Sequence, residues 1–241
     1  MSRPIDYFFT PQSPWAYLGH ARFVDLLRAS RRAVRVLAVD YGRIFPLSGG
    51  LPLGQRAPQR QAYRLAELRR FAAHLNITLH PEPRHFPVDG GPAARLITTV
   101  AHADGPDAAL RLTGAVMAAC WAEQRDIASA GTLAELLDEC DLPATHLAAA
   151  QAPEVQARYE AHTQAAIDAG VFGAPTYVID GELFWGQDRL DFVRRALGVC
   201  HEPLPNGRTQ RTQKNRKGRR GISTNDYSIN SMLRLMVNGN H

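Results

Sequence analysis

The residues in this chain best placed for chemistry are Ser13-Pro14-Trp15-Ala16. Ile5, Tyr7 and Phe9 alternate as a strand, and that run ends at Thr10-Pro11. Ser13 is then a natural helix N-cap, with Pro14 at the first helical position, where a missing N–H costs nothing. A small hydroxyl at a helix N-terminus beside a strand end can hold an anion. None of the four positions carries a cysteine, so thiol–disulfide exchange is excluded there. What remains is a hydroxyl donor. A charge-assisted hydrogen bond is worth about 1.5–3 kcal/mol and lowers the pKa of a bound thiol by about 1–2 units. A thiol supplied from outside the chain would then be largely ionised at neutral pH. On these residues alone, Ser13 reads equally as nothing more than a cap.

Two further stretches are candidates. Gly173-Ala174-Pro175-Thr176 immediately precedes a strand pattern, and a proline at a strand start leaves the hydrogen-bond ladder intact. Gln187-Asp188 stands just before the last helix, where Asp188 could bind an ammonium or simply cap that helix. Arg84 reads as a carboxylate clamp or, like Arg95, as a surface charge, and His85 as a packed histidine or a base. Trp15, Tyr17, Trp121 and Trp185 read as core or dimer contacts, with Trp15 also a candidate wall of a substrate pocket.

The elements that must position these residues follow from periodicity. A helix over residues 15–29 leads to a strand at Val34, Val36, Leu37, Ala38 and Val39, which makes a βαβ unit with parallel strands. A turn-rich loop or flap spans residues 45–58, with Gly49, Gly50, Pro52 and Gly54. Helical patterns then cover residues 59–76, 92–102, 108–124, 132–140 and 153–169. Strands return at Thr176-Tyr177-Val178-Ile179 and Glu182-Leu183-Phe184-Trp185, joined by the two-residue turn Asp180-Gly181. A last helix covers residues 189–197.

The end pieces are each too small to bury a sheet alone. The expected fold is therefore α/β: a thioredoxin-like four-stranded sheet interrupted by an all-helical insertion. Residues 1–47 and 170–199 would form the discontinuous sheet domain, 48–169 the helical domain, and 200–241 a basic tail. In that layout the loop at Pro175, its peptide expected to be cis, lies beside the start of the first helix. It would present the Ala174 N–H and C=O to an extended peptide.

The net charge of +5 resides in the tail, where eight basic residues from Arg208 to Arg234 face only Glu202 and Asp226. The rest of the chain is close to neutral, which argues against a nucleic-acid-binding body. The run over 208–220 is expected to be disordered, and 228–237 could form one short helix. No apolar run of membrane-spanning length and no apolar leader is present, so a cytoplasmic location is expected. Cys120, Cys140 and Cys200 are widely spaced, with no metal-ligand or disulfide pattern, and Cys120 reads as a buried, inert thiol.

Asp6-Tyr7-Phe8-Phe9 followed by Ser13-Pro14-Trp15-Ala16-Tyr17-Leu18 resembles the start of the 2-hydroxychromene-2-carboxylate isomerases. These are grouped with the kappa-class glutathione transferases in the DsbA-like superfamily. Arg84-His85-Phe86-Pro87, Ala93-Ala94-Arg95, Val171-Phe172-Gly173-Ala174-Pro175-Thr176 and Phe184-Trp185-Gly186-Gln187-Asp188-Arg189-Leu190 continue the resemblance over about residues 4–198. The resemblance implies a glutathione-dependent cis–trans isomerase that converts 2-hydroxychromene-2-carboxylate to trans-o-hydroxybenzylidenepyruvate in aromatic degradation. It implies that Ser13 holds the glutathione sulfur as thiolate and that Ala174 and Pro175 pair with the cysteinyl backbone. Gln187 and Asp188 would bind the γ-glutamyl end, Arg60 the glycine carboxylate, and Trp15 and Arg84 the aromatic carboxylate substrate. A homodimer is expected. The alternatives are a kappa-like glutathione transferase or peroxidase, and a redox-inactive DsbA-like peptide-binding module. The sequence departs from the family in one place: the flap asparagine has no counterpart near Gly49-Gly50.

Overall fold

A computed structural model describes residues 3–200. The tail readings, disorder over 208–220 and a helix over 228–237, lie outside the described residues. The chain opens with β1 (Ile5–Phe9), α1 (Pro14–Ser30) and β2 (Val34–Ala38). The helices α2 (Tyr41–Ser48), α3 (Pro58–Leu75), α4 (Gly91–Ala103), α5 (Pro106–Trp121), α6 (Ala130–Glu139), α7 (Thr145–Ala149) and α8 (Pro153–Asp168) follow. The chain then closes with β3 (Thr176–Ile179), β4 (Glu182–Trp185) and α9 (Leu190–Ala196).

The strands form one mixed sheet in the order β2-β1-β3-β4, with β2 parallel to β1 and β3 and β4 antiparallel to their neighbours. This is the expected thioredoxin-like sheet, its halves separated in sequence by the helical block. β1 is central and apolar on both faces. Ile5, Tyr7 and Phe9 enter a large core with residues of α1, α4 and α5, while Phe8 faces Leu37, Val39, Ile44 and Val171 on the other side. Tyr7 stacks on Tyr177 at 5.4 Å, and Phe23 of α1 closes the group at 4.4 Å from Tyr177. These rings lock α1 onto the sheet. His20 of α1 lies under the same layer: its Nε2–H donates to the Leu110 carbonyl at 3.0 Å, so Nδ1 is the acceptor for the Tyr7 hydroxyl at 3.2 Å. Burial holds this imidazole neutral, its pKa lowered to about 4.

Asp180 (φ 51°) and Gly181 (φ 94°) both take the left-handed region, as a two-residue hairpin turn of this hand requires. Arg32 anchors the turn through Asp180 at 2.9 Å.

Two elements differ from expectation. The segment read as a loop from residue 45 begins inside α2, despite Pro46 within that helix. Asp40 caps α2 by accepting from the Gly42 N–H at 2.7 Å, Gly49 ends it at φ 73°, and Tyr41 and Ile44 are buried. Burial and two caps outweigh one hydrogen bond lost to proline. α7 is a five-residue turn whose buried residue is His146, too short for periodicity to reveal.

Candidate functional site

The β1–β3 register builds the site. Phe8 pairs with Thr176, so the end of β1 meets the beginning of β3. The turn carrying Ser13 is thereby set beside the Ala174–Pro175 loop, although the two are separated by the whole helical block. The Ala174–Pro175 peptide is cis. The Tyr41 hydroxyl and the Thr176 hydroxyl each donate to the Gly173 carbonyl at 2.6 Å, which fixes the loop from both sides. The Gly186 N–H donates to the Pro175 carbonyl at 2.9 Å and ties the loop to the turn that carries Gln187-Asp188.

Ser13 is the N-cap of α1, with Pro14 at the first helical position. Its Oγ accepts from the Ala16 N–H at 3.2 Å, and the residue is buried. That bond uses a lone pair and leaves the O–H itself as a donor.

Gln187 is buried and held by Arg22 of α1, which donates to its main-chain oxygen at 3.1 Å and to its side-chain oxygen. Arginine only donates, so Gln187 turns its oxygen to Arg22, and its amide nitrogen is the group left for a ligand. Gly19 permits this approach. A Cβ there would stand 2.8 Å from the Gln187 Cβ. Asp188 is half exposed and pairs with Arg189 at 2.6 Å.

A cleft of about 710 Å³ opens in front of these elements. Trp15 lines it from α1, and Ala174, Trp185, Gln187 and Asp188 from the C-terminal hairpin and turn. The facing wall is α3 and the residues just before it: Arg56, Arg60, Tyr63, Arg64, Glu67 and Phe71. Arg60, Arg64, Glu67 and Phe71 recur at helical spacing and form one face of α3. Phe71 meets Trp15 edge-to-face at 6.0 Å, so the two walls meet at this pair.

The structure thus brings together Trp15, Arg60, Ala174, Gln187 and Asp188. Pro175 follows Ala174 and Ser13 lies two residues before Trp15, but neither is part of the lining. Arg84 is not brought in: Phe86 turns inward onto Trp121 at 4.9 Å, and Arg84 and His85 are left exposed. Gly49 and Gly50 also lie outside the lining, and Gly50 packs against the Phe45 ring. Trp121 is core, as expected, whereas Trp185 is half exposed in the cleft with its indole over Gly173.

Arg56, Arg64 and Tyr63 were not among the expected site residues. The i, i+4, i+8 spacing of Arg56, Arg60 and Arg64 was the available signal. Arg64 is half-buried under the rings of Phe86 (5.3 Å) and Trp121 (5.7 Å). Burial and the charge of Arg56 lower its pKa to about 10, so it remains a cation at neutral pH. Burial and Arg60 lower that of Arg56. No cysteine lines the cleft, and burial pushes the Cys120 thiol up to about 12.

A mixed sheet of this order, a helix starting at a serine cap and a facing cis-proline loop define a thioredoxin-like domain without its redox cysteines. The chain belongs to the DSBA-like thioredoxin domain family, whose model matches residues 4–198. It is 28% identical over 199 residues to a 2-hydroxychromene-2-carboxylate isomerase of Sphingobium xenophagum, covering 82% of this chain and 99% of that one. It is 29% identical over 203 residues to the enzyme of the same name from Pseudomonas sp. (strain C18), covering 80% and 90%. A solved 2-hydroxychromene-2-carboxylate isomerase superposes with a TM-score of 0.69 at 24% identity, over 81% of this chain and 95% of that one.

Proposed function

We propose that this protein is a glutathione-dependent isomerase acting on substrates of the 2-hydroxychromene-2-carboxylate class. The observation that carries the reading is one cleft that collects Trp15, Arg60, Ala174 and Gln187-Asp188 from three distant parts of the chain. Relatives bearing the isomerase name match along four-fifths of the chain, which supports the same reading.

The residues present suit glutathione. That tripeptide has an ammonium and a carboxylate at one end and a second carboxylate at the other. Asp188 on one wall is a partner for the ammonium, and Arg60 on the facing wall is a bidentate partner for the glycine carboxylate. Ala174 shares the lining with both, and its backbone would pair with the cysteinyl backbone. The chain's own thiols lie elsewhere.

When bound, glutathione supplies a thiolate that can add reversibly to a conjugated double bond. Ser13 donates its O–H to the sulfur and favours the ionised form, with the N-terminus of α1 behind it. Gln187, clamped by Arg22, offers its amide N–H to the γ-glutamyl carboxylate. Trp15, Tyr63 and Phe71 take the flat apolar part of the substrate and keep water from the reacting atoms.

The test is to incubate the purified protein with 2-hydroxychromene-2-carboxylate, with and without glutathione, beside a chlorinated aromatic electrophile. Glutathione-dependent formation of the open-chain benzylidenepyruvate, without consumption of glutathione, is expected. Conjugation of the chlorinated compound with no isomerisation would show a transferase instead.

A further inference from the structure

The α3 wall carries more positive charge than the proposed reaction uses. Arg56, Arg60 and Arg64 all line the cleft, and no ion pair to any of the three occurs among the described residues. The two acidic residues of the lining are already engaged, Glu67 with Arg70 and Asp188 with Arg189, each at 2.6 Å. Arg60 and Arg64 stand at i, i+4 on α3, where like charges repel, and Arg56 lies just before the helix, so an anion bound among them would relieve that repulsion. If Arg60 takes the glycine carboxylate of glutathione, as proposed above, two guanidinium groups remain.

Arg64 is the more constrained of the two. Its cation lies 5.3 Å from the Phe86 ring centroid and 5.7 Å from that of Trp121, and Glu82, which pairs with Arg69, acts on it without an ion pair. Arg56 is tethered by donation from Nε to the Leu51 carbonyl at 2.8 Å. Both are partly desolvated; the charge of Arg56 lowers the affinity of Arg64 for a proton, and that of Arg60 does the same to Arg56. The same cleft is lined by Trp15, Tyr63 and Phe71, a surface for a flat ring.

We propose that Arg56 and Arg64 form a binding site for an aromatic dianion, so that among flat carboxylates of the proposed substrate class a ring system with a second acidic group is preferred. That is one acidic group more than a chromene monocarboxylate has. The inference rests on the glutathione reading only in assigning Arg60 elsewhere.

The test is calorimetric titration of the full chain with naphthalene-2,3-dicarboxylate and with 2-naphthoate, each with and without saturating glutathione. The dicarboxylate should bind about tenfold or more tighter than the monocarboxylate, and should still bind when glutathione is present. R56Q and R64Q should each remove most of that preference and change 2-naphthoate binding little. R64K, which keeps the charge and loses the planar guanidinium, should retain part of it. R56Q lies outside any helix, and together with the melting temperatures of all variants it separates lost binding from lost folding. Equal affinity for the two probes would overturn the inference. So would a preference that survives both glutamine variants, or complete displacement of the dicarboxylate by glutathione. Glutathione binding is followed in the same samples by thiolate absorbance. An Arg-dependent preference without glutathione binding would overturn the proposed function and leave the dianion site standing. Glutathione binding without the preference would do the reverse.

Discussion

At the residue scale, Gly19 sets how closely α1 approaches Gln187. A Cβ there would lie 2.8 Å from the Gln187 Cβ, closer than real contacts allow, and 3.2 Å from the Tyr177 hydroxyl, tighter than most. Gly19→Ala gains up to about 1 kcal/mol of helix propensity but incurs overpacking of about 1–3 kcal/mol. The expected net is a loss of about 1 kcal/mol, seen as a melting temperature lower by about 2–4 °C. Because the displaced residue is Gln187, glutathione affinity should fall by more than stability does, by about tenfold; calorimetry checks this. Tyr41 is a milder case. Tyr41→Phe keeps the ring and removes one of two donors to the Gly173 carbonyl, and Thr176 still serves that oxygen. A loss of about 1 kcal/mol in denaturant unfolding is expected.

At the element scale, α3 stands apart from the rest of the helical block. Only Leu68 of its eighteen residues is buried, whereas α5 buries ten of sixteen. Its attachments are the Trp15–Phe71 edge, the Arg64 stack and the connector held by Tyr17 donating to the Thr78 carbonyl. Amides of α3 should therefore exchange with solvent faster than those of α4 and α5, and should slow when glutathione fills the cleft. Hydrogen-exchange mass spectrometry measures both.

The same scale shows what the sequence could and could not reveal. β1, the Ser13-Pro14 start of α1 and the Asp180-Gly181 hairpin depend on alternation, capping and turn chemistry, all local, and they stand where the sequence placed them. α2 was hidden because Pro46 and Gly49 are breakers whose local effect is outweighed by burial of Tyr41 and Ile44. Arg56 and Arg64 were visible as spacing but looked like a solvated helix face, since α3 has little apolar stripe to say which way it faces. The Arg22–Gln187 clamp depends on the approach at Gly19, a tertiary fact with no local signature. Arg84 stayed outside because Phe86, two residues on, took the inward position.

At the scale of the whole molecule, stability should follow pH through His20. Its folded pKa, about 4, lies below the ordinary value of 6.5 because burial disfavours the imidazolium. The unfolded chain therefore takes up the proton first as pH falls. Stability is full above about pH 6.5, declines between 6.5 and 4, and loses up to about 3 kcal/mol by linkage. His162, lowered in the same direction by burial, adds to the slope. His20→Gln should be less stable at neutral pH and flatter across that window; chemical denaturation at a series of pH values checks both.

These features border one cleft, and the proposed function requires that the Ser13 hydroxyl beside it hold a sulfur from outside the chain. The most direct measurement is the ultraviolet difference spectrum of glutathione thiolate, titrated against pH in wild type and Ser13→Ala. With Ser13 as donor, bound glutathione should ionise about 1–2 units below free glutathione in wild type and close to the free value in Ser13→Ala. No thiolate signal at millimolar glutathione, or the same ionisation in both proteins, would contradict it.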